Sequence, residues 1–156
     1  MELKAHLSVP DTPIGNLIIV HENRGLDDHI RDVANRFALE GFAVVAPDYL
    51  SPIGGSVTDV DTNVANIKNI TREQVTDISQ YWSEVLLKVS QATNWSILGF
   101  CWGGGVVNHC ATKLQSIEKA IMFYGTAPDL EFTKDIKANL QLHYAENDDR
   151  INAGKN

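Results

Sequence analysis

Cysteine is scarce in this chain: Cys101 and Cys110 are the only two. Nine positions apart on one expected helix, they stand roughly 13 Å from each other along its axis, too far for a disulfide. They match neither a metal site nor a CxxC redox pair. No Lys/Arg-rich run occurs, and the formal net charge of −7 argues against nucleic acid or an anionic membrane as partner. No stretch approaches the roughly 20 apolar residues of a membrane span. The opening Met1-Glu2-Leu3-Lys4-Ala5-His6 has neither the basic nor the apolar part of a signal peptide. There is no internal repeat, no low-complexity tract, and no cofactor or metal motif. What remains is a cytoplasmic protein acting on a small molecule. Its 156 residues suffice for one domain with a real core.

Strand and helix patterns alternate along the chain, which predicts an α/β fold with a doubly wound, mostly parallel sheet. Strands are expected at Leu3–Val9, Leu17–His21, Phe42–Ala46, Trp95–Gly99, Ala120–Tyr124 and Leu140–Tyr144. Helices are expected over about Asp28–Glu40, Thr71–Gln91 and Cys101–Gln115. Asp11–Asn16 reads as a turn, and Ser51–Asn69, with Pro52, Gly54 and Gly55, as a long loop of the kind that shapes a pocket at a strand's C-terminal end.

The densest chemical signal is Gly99-Phe100-Cys101-Trp102-Gly103-Gly104, directly after the apolar run Trp95-Ser96-Ile97-Leu98. A nucleophile on a sharp strand-to-helix turn needs small residues two positions before and after it, because the two backbones approach there. Gly99 and Gly103 meet that need. A helix N-terminus behind Cys101 favours a thiolate and supplies N–H groups to an oxyanion. The bland alternative is a tightly packed turn with a buried cysteine. A dinucleotide site is disfavoured, since the spacing is not GxGxxG.

Other charged residues fall at predicted C-terminal strand ends, the edge where open α/β sheets bind ligands. Glu22 and Arg24 follow the first central strand, either as site residues or as an ion pair fixing the loop. Asp148 and Asp149 follow the last strand, as a triad acid or as part of a solvated loop. Asp48 reads as turn chemistry. A triad in this fold runs nucleophile, acid, histidine, yet the eight residues after Asp148 contain no histidine. Of the five histidines, His109 lies roughly 12 Å from Cys101 along the helix, and His143 falls in an expected buried strand. His6 and His29 have no acid or nucleophile near them in sequence. His21 adjoins the site, but strand alternation sets it opposite Glu22.

The blocks His21-Glu22-Asn23-Arg24-Gly25-Leu26, Ala46-Pro47-Asp48-Tyr49-Leu50, Gly99 to Gly104, Phe123-Tyr124-Gly125 and His143 to Gly154 together closely resemble the dienelactone hydrolase family. The resemblance implies an α/β-hydrolase fold and opening of lactones or enol esters by thiol attack, as in carboxymethylenebutenolidase, without a cofactor. It implies Cys101 as nucleophile, Asp148 as triad acid, and Glu22 as the carboxylate that helps generate the thiolate. It further implies the backbone N–H groups of Asn23 and Trp102 as oxyanion hole, and Arg24, Arg72 and Tyr124 as substrate-binding residues. Family members continue past the counterpart of Gly154 with a strand, the catalytic histidine and a helix. The fold is therefore expected to lack those elements and deacylation to be impaired, with self-association through the exposed sheet edge or, alternatively, a truncated product of an incomplete parent gene. The rival expectations are a noncatalytic ligand-binding or assembly module of the same fold, and a cysteine redox sensor.

Overall fold

The computed structural model describes residues 2–90 and 92–153. Six strands form one sheet: β1 (Ala5–Ser8), β2 (Gly15–Val20), β3 (Phe42–Pro47), β4 (Trp95–Phe100), β5 (Ile117–Phe123) and β6 (Asn139–His143). Their order is β1-β3-β2-β4-β5-β6. β1 runs antiparallel to β3, and every other pairing is parallel. The helices are α1 (Asp28–Leu39), α2 (Val60–Asn66), α3 (Arg72–Ser90), α4 (Trp102–Lys113) and the short α5 (Asp149–Asn152).

Period-2 alternation in β2 explains the layering. Leu17 and Ile19 face a cluster with Ile30 and Ala34 of α1, while Ile18 and Val20 face one with Val75 and Ile78 of α3 and Val106 and Val107 of α4. Both faces are covered, so β2 reads as an unbroken apolar run. Ile18 and Ile19 are fully buried, each contributing about 1.5–3 kcal/mol by transfer from water. Helix starts follow their caps. The Asp27 side chain accepts from the Ile30 N–H at 3.0 Å. Thr71 and Gln74 exchange bonds of 3.1 and 2.9 Å in a capping box ahead of α3.

Several sequence expectations are corrected. Ser51–Asn69 is not a loop: it holds 3₁₀ turns at Ser51–Ile53 and Ile67–Asn69 around α2. Its helical periodicity is hidden because the buried position in α2 is a polar residue, Asn63. Gly15 and Asn16 are not turn residues but the first rungs of β2, paired with Phe42 and Ala43. β5 begins at Ile117 rather than Ala120, because a register shift leaves Glu118 without a partner while Ser96 pairs with Lys119. Glu118 and Lys119, both exposed, break the alternation that sequence reading relies on. His143 is not buried: β6 is an edge strand, paired with β5 alone, and all five of its residues are exposed. The expected helix end at Gln91 and the motif residue Gly154 lie outside the described residues.

Candidate active site

The nucleophile elbow forms because three backbones converge where no methyl group fits. A Cβ on Gly99 would overlap the Gly103 carbonyl, and one on Gly103 would stand 2.5 Å from the carbonyl oxygens of Val20 and His21. α4 therefore starts directly against the end of β2. The Cys101 N–H closes the β4–β5 ladder on the Phe123 carbonyl at 3.0 Å, and the Cys101 carbonyl accepts the Gly105 N–H at 3.2 Å to open α4. Between those bonds Cys101 takes φ 54° and ψ −116°, a left-handed backbone that costs a non-glycine residue about 1–3 kcal/mol. Tyr124, after β5, has φ 42°. Among the described residues these are the two non-glycine positions with positive φ, and they follow adjacent parallel strands. Nothing in the sequence marked Tyr124 as strained.

The turn after β2 is held from three directions. The Gly25 N–H donates to the Glu22 carbonyl at 3.3 Å. The Asn63 amide donates to the Arg24 carbonyl at 2.8 Å and to the Val57 carbonyl at 2.7 Å, while its oxygen accepts the Val57 N–H at 2.9 Å. The Ser56 hydroxyl accepts the Leu26 N–H at 2.8 Å and donates to Asp48 at 2.7 Å. Asp48 is thus structural, as its Pro-Asp context indicated. Asn63 and Ser56 are site-supporting residues that sequence reading missed, because nothing in a polar stretch announces which amide will be buried.

β2 ends at Val20 rather than His21, so alternation does not extend to His21 and Glu22, yet their side chains diverge. The Glu22 carboxylate accepts the Tyr124 hydroxyl at 3.2 Å and makes no ion pair with Arg24. The Tyr124 phenol is pushed up to about 12 by partial burial and then by the Glu22 charge, their hydrogen bond and Cys101. His21 is wholly buried. Its Nε2 accepts the Tyr49 N–H at 3.1 Å and its Nδ1 bonds the Glu22 carbonyl at 2.6 Å. A backbone N–H can only donate and a carbonyl only accept, so the ring is the neutral Nδ1–H tautomer. Burial holds it below the usual histidine range. Trp102 stacks on it, with centroids 5.6 Å apart and planes at 17°.

The Trp102 N–H, first in α4, lies outside the helix ladder, and the Asn23 N–H has no acceptor among the described residues. Both residues line a cavity of about 780 Å³ with Cys101, a volume in the range of small-molecule sites. The cavity runs along α4 past Gly105 and Val106 to His109, with Ile67 from the expected loop region on another wall. Arg72 lines it and is paired with Asp129 at 2.8 Å. Arg150 and Ile151 line it too, whereas Arg24 is exposed and outside the lining. Asp148 caps α5, its carboxylate accepting the Ile151 N–H at 3.1 Å, and is likewise outside the lining.

None of the five histidines bonds Cys101. His6 bonds Asn35 at 2.8 Å, His109 bonds Thr76 at 3.2 Å, His143 stacks on Phe123, and His29 is exposed. Among the described residues no cluster of three or more His, Cys, Asp or Glu is placed to hold a metal ion, and no helix is long and apolar enough to cross a membrane.

A model of the dienelactone hydrolase family matches residues 3–156. A protein named "Putative carboxymethylenebutenolidase" from Saccharolobus solfataricus is 28% identical, over 98% of this chain and 74% of its own length. One of the same name from Escherichia coli K12 is 29% identical, over 74% of this chain and 44% of its own length. The chain therefore spans only part of these relatives, less than half of the second. Among solved structures, a dienelactone hydrolase-like promiscuous phosphotriesterase, P91, from metagenomic libraries superposes with a TM-score of 0.78 at 18% identity, covering 98% of this chain and 74% of that one. A Klebsiella pneumoniae protein described as a "Putative Dienelactone Hydrolase" gives 0.71 at 19% identity, covering 100% of this chain and 91% of that one. At such identities the likeness is one of fold, the α/β-hydrolase fold.

Proposed function

The chain belongs to the dienelactone hydrolase family, and on that premise we propose that it is a thiol hydrolase of lactones and enol esters with Cys101 as nucleophile. The observation that carries the reading is the strained elbow. Cys101 sits at φ 54° between the β4 ladder and α4, on the wall of a cavity that Asn23 and Trp102 also line.

In this mechanism the Cys101 thiol gives its proton to Glu22 and the thiolate attacks the acyl carbon. The backbone N–H groups of Asn23 and Trp102 receive the oxyanion, a task in which one donor is commonly worth 10²–10³ in rate. The tetrahedral adduct expels the ring or enol oxygen, which takes the proton back, and a Cys101 thioester remains. Arg72, Arg24 and Tyr124 are the substrate-binding groups of the proposal, and Asp148 its acid. Hydrolysis of the thioester needs a base for water. Among the described residues no hydrogen bond joins a histidine to Cys101, and in this proposal acylation outruns deacylation. The alternative reading is a noncatalytic ligand-binding or assembly module of the same fold. A cytoplasmic location and self-association through the exposed β6 edge complete the proposal.

The test is to follow the intact mass of the protein with p-nitrophenyl acetate, beside Cys101→Ala. An acyl adduct that accumulates and is absent in the variant supports the hydrolase. No adduct, and no release above the variant's, supports the noncatalytic module. Light scattering tests the association, and a stable monomer removes it.

A further inference from the structure

Glu22, Cys101 and Tyr124 follow the C-terminal ends of β2, β4 and β5, three neighbours in the sheet. The 3.2 Å bond from the Tyr124 hydroxyl to Glu22 Oε1 therefore passes over the end of the middle strand, which carries the nucleophile. It is the only hydrogen bond or ion pair of that carboxylate among the described residues. We infer that Tyr124 is a positioning residue for the thiol: by holding Oε1 of Glu22, it leaves Oε2 to take the Cys101 proton. The inference rests on the reading of Cys101 as nucleophile.

Backbone geometry and a tilted contact with Phe100, ring centroids 6.3 Å apart, together set the aim of this tyrosine. Its N–H donates to the His143 carbonyl at 2.8 Å, its φ is 42°, and the next residue, Gly125, lies with its backbone directly against that of Gly104 in α4. The residue is 37% exposed, and Tyr124→Phe keeps the ring while removing the hydroxyl alone. The hydroxyl keeps its proton through the neutral range and acts only as a donor toward the carboxylate. One oxygen fixed and one free is what a general base needs for a repeatable approach to a thiol. In the transfer the S–H bond breaks, an O–H bond forms on Oε2, and sulfur keeps the electron pair with which it attacks.

The experiment measures the rate at which iodoacetamide alkylates Cys101 at pH 7, by peptide mass spectrometry. The proteins are wild type, Tyr124→Phe, Glu22→Gln and the double variant, each with its melting temperature. Tyr124→Phe is expected to react about tenfold more slowly, the order lost with a hydrogen bond to a charged group. The double variant should be no slower than Glu22→Gln, because Tyr124 acts through Glu22. With p-nitrophenyl acetate the maximal acylation rate should fall by the same factor. Glu22→Asp, which withdraws the carboxylate by one methylene and leaves residue 124 untouched, should slow alkylation likewise. Wild-type reactivity in Tyr124→Phe or Glu22→Asp, or additive losses in the double variant, overturns the inference. Alkylation that depends on Tyr124, in a wild type that forms no acyl adduct, supports the inference and overturns the hydrolase reading.

Discussion

His21 accepts the backbone N–H of Tyr49 through Nε2 at 3.1 Å, joining the end of β2 to the end of β3 beneath the nucleophile. With Nδ1 given to the Glu22 carbonyl, both ring nitrogens are in use, and the one histidine next to the site has no lone pair left to act as a base. Its replacement is a structural lesion. His21→Ala should cost about 3 kcal/mol, from a cavity plus an orphaned buried N–H, read as a lower denaturant midpoint at unchanged slope. A midpoint equal to wild type contradicts the arrangement.

Stability should peak between about pH 6.5 and 9. Burial lowers His21 and His109 in the fold, so below the unfolded value of 6.5 the unfolded chain binds more protons and stability falls with pH. Burial pushes the Cys110 thiol up to about 12 from 9.0. Above pH 9 the unfolded chain therefore releases a proton that the fold retains, and stability falls again. Denaturant midpoints across pH 5–10 should trace this dome, and a flat profile would refute it.

Gly99→Ala should cost about 3 kcal/mol or more, because the obstructing atoms belong to the Gly103 backbone, which cannot rotate aside as a side chain can. Thermal unfolding measures it. A loss below about 1 kcal/mol would show that α4 can move off β4.

Asn63→Ala removes two donors to the Arg24 and Val57 carbonyls and the acceptor of the Val57 N–H, at a cost of about 1–3 kcal/mol. Amide hydrogen exchange should quicken in the Glu22–Leu26 turn before it does in the sheet. Unaltered exchange there would mean that Ser56 and the Gly25–Glu22 bond hold the turn without Asn63.

At pH 8 iodoacetamide should label Cys101 and spare Cys110, which is fully buried, has its thiol 3.5 Å from Ser79 Oγ, and is held protonated. Peptide mapping of the native protein reads the ratio. Equal labelling would place Cys110 within reach of solvent.

The central strands and the elbow were legible because their causes are local. Apolar runs mark β2, β3 and β4, and Gly99 and Gly103 stand where a sharp turn needs them. What the sequence hid depends on contacts far along the chain. α2 is buried through an amide, Asn63, so hydrophobic patterning could not reveal it. Glu118 drops out of register only because β4 supplies the ladder beside it. Tyr124 bonds a residue 102 positions away, and its left-handed backbone follows from a junction that no single segment encodes. The exposure of His143 follows from sheet order, which strand patterning alone does not give.

The stacking of Trp102 on His21 leaves an indole one residue from the thiol, on a ring that burial disposes to stay neutral. Trp102 is one of three tryptophans, so the emission that Trp102→Phe removes isolates an optical signal from beside Cys101 and the turn after β2, without a label.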